Sequence, residues 1–329
     1  MLEISDLDVG DDGELRAFWE VEQIAQRADR SHPVLWTWER RLQMLRPSGP
    51  ATRRRHLLAA YDGSQLVGTA ELSASTRDNL HLGELEVNVL PSHRGRGIGR
   101  RLHDEAVHRG HADGRTAYIG EACQPSAQRP SAAVAFAHTL GYASAHREDH
   151  LVLDLPATTD LLRHRLDDAH SVVTWTGRAP DDLVAAYARM RTEMSRDVPI
   201  GELDLEPSEV TVERVREEEE RLSRVYDTIV AVARRDDGEL DGYTLAFLPR
   251  GERYVQQDDT FVMRRARGAG VARSLKVEVL RALAASWPDR SMVHTWTALD
   301  NEPMQRLNRG LGFRPVELMH EMQRRDADG

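Results

Sequence analysis

The chain has 329 residues, 40% hydrophobic and 30% charged, enough apolar content for two domains with their own cores. Its formal net charge of −10 argues against a general nucleic-acid binder, which needs a basic face to displace phosphate counterions. Cys123 is the single cysteine, which rules out an intrachain disulfide or a cysteine-based zinc site and makes a reducing cytoplasm the expected home.

The opening MLEISDLDVGDDGEL lacks the basic and apolar regions of a secretion signal, and no run of about 18 apolar residues occurs. No membrane association is expected. A helix is predicted over Gly13–Arg46, followed by two strands in RHLLAAYDGSQLVGTAEL that hinge on the turn pair Asp62-Gly63. A third strand, LEVNVL, runs up to Pro91 and meets the glycine- and arginine-rich HRGRGIGRRL, which opens an amphipathic helix from Gly99 to about Arg109. A strand in RTAYIGEA, a helix over Ala132–Leu140 and a strand in HLVLDL close the first half. After a linker come the strands of DTIVAVARRDDGELDGYTLAFL and DDTFVM, a second glycine-rich stretch RARGAGVARSL, a helix to about Ala285, the strand MVHTWTAL and a helix before Leu311.

The two halves repeat one pattern at an offset of about 173 residues. Arg94, Gly95, Gly97, Arg100 and Leu102 fall on Arg267, Gly268, Gly270, Arg273 and Leu275; Gly68 falls on Gly242, and the LGY at Tyr142 on the LGF at Phe313. A repeated order of landmarks indicates a duplicated unit. Each unit reads as mixed α/β, with expected domains over 1–156 and 172–329 and a linker over 157–171.

A strand that feeds a glycine-rich turn into a helix makes an anion site, because unpaired backbone N–H groups and the helix dipole point outward. Neither copy is a nucleotide P-loop, which needs a lysine and a hydroxyl at its end. Neither is a dinucleotide fingerprint, since its last glycine is replaced by Arg100 or Arg273. What remains is R-x-x-G-x-G/A: Arg94, Gly97 and Gly99 in one half, Arg267, Gly270 and Ala272 in the other. This pattern, in its V-x-P and LGY or LGF context, resembles the pyrophosphate loop of the GNAT (Gcn5-related N-acetyltransferase) superfamily. TWTALDNEPMQRLNRGLGF is similar to a subset of bacterial members.

The resemblance implies two tandem GNAT acyl-CoA N-acyltransferase folds, each a central mixed sheet flanked by helices. It implies acetyl-CoA as co-substrate, held by backbone amides of Arg94, Gly95, Arg96, Gly97, Ile98 and Gly99, or of Arg267, Gly268, Ala269, Gly270, Val271 and Ala272. Side chains of Arg96, Arg100 and Arg101, or of Arg265, Arg273 and Lys276, the only lysine, would meet the remaining phosphates. In the family the strand before the loop splays from its neighbour and offers N–H groups to the pantetheine and thioester, which points to Val87 and Val89, or Thr260 and Val262. A carboxylate on that strand is the expected base, Glu84 or Glu86 in one half and Asp258 or Asp259 in the other, because an alkylammonium must lose a proton before it attacks.

Two family positions depart from the pattern. The tyrosine that protonates the leaving thiolate is replaced by Ala137 and Asn308. The asparagine eleven residues before the closing glycine is Pro130 in the first half and Asn301 in the second, where Asn301 and Asn308 are candidate cofactor contacts. The first half thus has the better glycine loop and the second the better following segment, with the second preferred as catalytic. His103, His108 and His111 lack the i,i+4 spacing of a zinc pair, and no metal is expected. MSRDVPIGELDLE places Asp197, Glu202, Asp204 and Glu206 where relatives line the acceptor pocket. The expected activity is acetyl transfer to a small-molecule amine by a monomer or homodimer. Protein acetylation and a non-catalytic acyl-CoA-binding role are the alternatives.

Overall fold

The computed structural model describes residues 2–46, 52–125, 130–163 and 170–326. In chain order the elements are β1 (Leu2–Asp6), α1 (Asp12–Arg27), α2 (Trp38–Leu45), β2 (Arg53–Asp62), β3 (Gln65–Ser75), β4 (Leu82–Val89), α3 (Ile98–Ala112), β5 (Ala117–Gln124), α4 (Ala132–Thr139) and β6 (Ala143–Asp154). They continue with β7 (His170–Thr176), α5 (Val184–Asp197), α6 (Val212–Leu222), β8 (Tyr226–Arg235), β9 (Leu240–Pro249), β10 (Tyr254–Val262), α7 (Val271–Ser286), β11 (Met292–Ala298), α8 (Glu302–Gly310) and β12 (Arg314–Arg325). Most of the expected elements are present. The helix expected over 13–46 is two, since Pro33 falls in the irregular stretch between them and disfavours helical backbone before it. Asp11 caps α1 by accepting from the Gly13 and Glu14 N–H groups, and Thr37 caps α2 through the Arg40 N–H.

The chain forms two compact units. The first comprises Met1–Asp149, Ile200–Glu206 and Val316–Gly329, and the second His150–Pro199 and Pro207–Pro315. These differ from the contiguous stretches 1–156 and 172–329. The reason lies in β5, whose free edge is filled by β12 from the end of the chain, antiparallel from Leu318↔Gln124 to Arg325↔Ala117. Of β6, residues up to Asp149 belong to the first unit and those from His150 to the second. Part of the expected linker, residues 164–169, lies outside the described residues, and β7 begins at its end.

In the first unit the strands run β1-β2-β3-β4-β5-β12-β6, with β4 and β5 parallel. Leu58, Val67, Ala70, Ile98, Leu102 and Phe18 are among its core residues. In the second they run β6-β11-β10-β9-β8-β7, with β10 and β11 parallel. Strand periodicity sorts its two cores: Ile229, Ala231, Ala246 and Leu248 meet α7, while Val230, Val232, Tyr243 and Leu245 meet the α5 side.

The repeated glycines of β3 and β9 have one packing reason. A Cβ on Gly68 would lie 3.0 Å from Leu102 and 3.1 Å from Ile98; one on Gly242 would lie 3.1 Å from Val271 and 3.2 Å from Leu275. Each glycine lets the helix that follows the glycine-rich loop sit down on the strand.

Candidate active site

The two loops have the same backbone. A one-turn 3-10 helix, Pro91–His93 or Arg264–Ala266, is followed by glycines of positive φ: 75° and 79° at Gly95 and Gly97, 84° and 79° at Gly268 and Gly270. Such dihedrals are costly for residues with a Cβ. Gly97 and Gly270 are also the N-caps of α3 and α7, without a side chain to satisfy the first-turn N–H groups. Those groups face outward as an anion cradle.

Next to each loop the parallel strand pair opens. The β4/β5 pairing covers Leu82↔Ala117 to Glu84↔Ile119 and stops, while β4 runs on to Val89; β10/β11 stops at Gln256↔His294, while β10 runs on to Val262. Direction follows from alternation. The Leu90 N–H bonds Val67 O on β3, and a Cβ on Gly120 of β5 would meet Leu85 O at 2.6 Å. Val87 and Val89 therefore present their N–H groups to the gap. In the second unit the Met263 N–H bonds Asp241 O on β9 at 2.8 Å, so by the same alternation Val262 and Thr260 face the gap. Together, cradle and gap fit the pyrophosphate and pantetheine of an acyl-CoA.

Arg94 and Arg267 turn away from the cradle. Arg94 donates through Nε to Val89 O (3.2 Å), through Nη2 to Ala25 O (3.2 Å) and through Nη1 to Asp29, just past the end of α1. Arg267 donates through Nε to Val262 O (3.0 Å) and pairs with Asp197 at the end of α5. Each motif arginine thus ties its loop to the strand before it and to the first helix of its half. Asp29 was missed in the sequence, although an acid near the end of the first helix recurs in both halves. Asp197 also binds Arg264 at 2.6 Å, and these hydrogen bonds hold its pKa below the usual carboxylate range.

The outer basic residues are mostly engaged. Arg96 bonds Ser92 O, Arg100 Thr139 O, Arg101 Leu2 O and Arg273 Gly310 O. Arg265 pairs with Asp241. Lys276 is a correction: it is buried, and its Nζ donates to Asn308 Oδ1 at 2.9 Å. Burial lowers its pKa to about 7. Asn308 is fully buried and donates in turn to Thr297 Oγ1 at 2.9 Å. Both ends of its amide are used inside the protein, so it is not a cofactor contact. Asn301 caps α8 through the Met304 N–H.

The candidate bases divide. Glu84 lies in the paired part of β4 and is tied to Arg53 at 2.5 Å. Glu86 accepts from Gln26 (2.7 Å) and Asn88 (2.8 Å). Beside it stands Glu71, its register partner, bound to Arg41, which also holds Glu22 through two bonds of 2.9 and 2.5 Å. In the second unit the β9/β10 register shifts between Gln257 and Thr260, a bulge that carries Asp258 and Asp259. Asp259 accepts from Tyr243 Oη at 2.8 Å, and burial outweighs that bond to raise its pKa. Asp258 reaches solvent, yet the protein around it and the neighbouring Asp259 charge push its pKa up to about 7.

The acidic stretch is divided between the units, with Asp197 in the second. Residues 200–206 belong to the first: the Glu202 N–H bonds Ala145 O, Asp204 pairs with Arg325, and Glu206 bonds Asn79.

Residues 16–142 match the sequence model of the Acetyltransferase (GNAT) family. That stretch belongs to the GNAT family. GNAT proteins are acyl-CoA N-acyltransferases, and the whole chain has the tandem GNAT fold. It is similar over its full length, and over all of the other chain, to a tandem GNAT protein from the clavulanic acid biosynthesis pathway (TM-score 0.83, 23% identity). A GCN5-related N-acetyltransferase from Sphaerobacter thermophilus is similar over 100% of this chain and 96% of its own (TM-score 0.72, 15% identity). A fungal GCN5-related glucosamine N-acetyltransferase region matches 98% of this chain and 38% of its own (TM-score 0.68, 15% identity). No curated protein matches the chain. Among the described residues no helix is long and apolar enough to cross a membrane.

Proposed function

We propose that the protein transfers an acetyl group from acetyl-CoA to the amine of a small molecule, and that the second unit is the catalytic one. The β10 bulge carries the reading: it sets Asp258 next to the N–H groups of Thr260 and Val262, where the strands part. Acetyl-CoA supplies a thioester whose C–S bond breaks as the amine nitrogen forms the new C–N bond. The Thr260 and Val262 N–H groups would bind along that gap and polarise the carbonyl oxygen. Asp258 would accept the ammonium proton on its carboxylate, and a pKa of about 7 suits a base at neutral pH. The thiolate can leave without a tyrosine, because a thiol pKa near ~8.5 makes it a tolerable leaving group.

A small acceptor is supported by the relatives named for clavulanic acid biosynthesis and for glucosamine acetylation. The test is release of CoA thiol from acetyl-CoA over a panel of amines, with wild-type protein and Asp258→Asn. Turnover that disappears in Asp258→Asn agrees with the assignment; turnover that survives there but is lost in Glu86→Gln moves the site to the first unit. Ala137 and buried Asn308, which leave no proton donor at the tyrosine position, favour a second reading: an acyl-CoA-binding protein without turnover. Tight acetyl-CoA binding with no amine accelerating CoA release would support it.

A further inference from the structure

The α5/α6 side of the second unit contains a cavity of about 650 Å³. Of the chain's 6 Trp, 7 Tyr and 5 Phe, five line it: Trp175, Tyr187, Tyr226, Phe247 and Trp287. Its charged lining residues largely neutralise one another, with Arg191 bound to Glu218 at 2.6 Å, Arg216 to Glu219 at 2.7 Å and Arg250 to Asp227 at 3.0 Å. The walls therefore offer flat apolar faces rather than a strong field of one sign.

Register connects this cavity to the candidate base. Gln256 pairs with Phe247 and Gln257 with Ala246. Leu245 and Phe247 line the cavity, whereas Ala246 packs in the opposite core. By alternation the side chain of Asp258 returns to the face of Gln256, that of Leu245 and Phe247. The bulge interrupts the alternation there, so Asp259 takes the same side and bonds Tyr243, whose ring stands edge-on to the cavity residue Tyr187 at 5.3 Å. Arg191 and Glu218 also act electrostatically on Asp258.

We infer that this cavity is the acceptor site and that the acceptor is an arylalkyl amine: an aromatic body seated against Tyr226, Phe247 and Trp287, with its amine directed toward Asp258. This rests on the proposed function and narrows it to a substrate class. Trp175 and Tyr187 are buried and already stand edge-to-face at 5.5 Å, so the half-buried rings of Tyr226, Phe247 and Trp287 supply the accessible aromatic surface.

The test uses the intact chain with acetyl-CoA and compares 2-phenylethylamine and tryptamine with hexylamine, spermidine and glucosamine. The arylalkyl amines should exceed hexylamine in kcat/KM by about tenfold. Phe247→Ala should erase most of that advantage through KM while kcat changes little. Calorimetric titration of wild-type protein with 2-phenylethylamine alone gives a second readout that needs neither turnover nor a folded variant. If 2-phenylethylamine binds but no amine is acetylated, the aromatic site stands and the transferase reading falls. If glucosamine, spermidine or hexylamine is acetylated as well as the arylalkyl amines and 2-phenylethylamine does not bind, the inference is overturned while acetyl transfer stands.

Discussion

The two units share a loop and differ in what faces it. Both have the positive-φ glycines, the parted strand pair and the arginine that ties loop to helix. In the first, the position three residues after the β3 glycine is Glu71, clamped with Glu22 by Arg41 beside Glu86, and the β3/β4 register runs without a shift from Gly68↔Val89 to Ser73↔Glu84. In the second, the position three residues after the β9 glycine is Leu245, which lines an open cavity, and β10 bulges at Asp258. The residues matched by the family lie in the first unit, whereas the bulge that carries the proposed base lies in the second. Likeness in the glycine loop does not carry likeness in the side chains that face it.

The sharpest way to break this contrast is a pair of substitutions. Asp258→Asn should lower kcat/KM by about 10²- to 10⁴-fold, the usual worth of a general base, while Glu86→Gln should stay within about twofold of wild type. Steady-state thiol release measures both; equal losses would erase the distinction between the units.

Next come the loops. A glutamate at Gly270 meets both a positive φ and the cradle's anion, so Gly270→Glu should weaken acetyl-CoA binding in the second unit by about 100-fold and stop turnover. Gly97→Glu should remove binding at the first loop and leave turnover in place. Calorimetric stoichiometry together with rates separates the two results.

The pH profile follows from Asp258. Its pKa is raised to about 7 and it must be ionised to accept a proton, so kcat/KM should fall about tenfold per pH unit below 7 and level off above it. Ordinary carboxylate behaviour, with the fall near pH 4, would show that the bulge does not tune the base. The smallest effect is expected for Asp197→Asn, which loosens Arg267 and Arg264 from behind the loop. KM for acetyl-CoA should rise about fivefold with kcat nearly unchanged, an exposed ion pair being worth little; a drop in kcat instead would place Asp197 nearer the reaction.

Much of the fold was legible because it is local. Strand alternation, the Asp62-Gly63 turn and the duplicated glycines each state a backbone preference within a few residues, and repetition doubled their weight. β12 was not legible, since its place beside β5 depends on partners some 200 residues apart. Nor was the fate of the polar candidates. Asn308 and Lys276 have the composition of ligand contacts, and only packing shows them spent on each other inside the second unit.

By itself the sequence determined that two α/β units carry a glycine-rich loop of one shape each, because only glycine takes φ near 79° cheaply at Gly97 and Gly270. Tertiary structure decided what surrounds those loops: arginines that brace them from behind, an acid clamp by Glu86, a bulge at Asp258 and an aromatic cavity lined by Leu245 and Phe247. Those outcomes depend on strand register and on side chains meeting across elements, and no stretch of chain encodes either one alone.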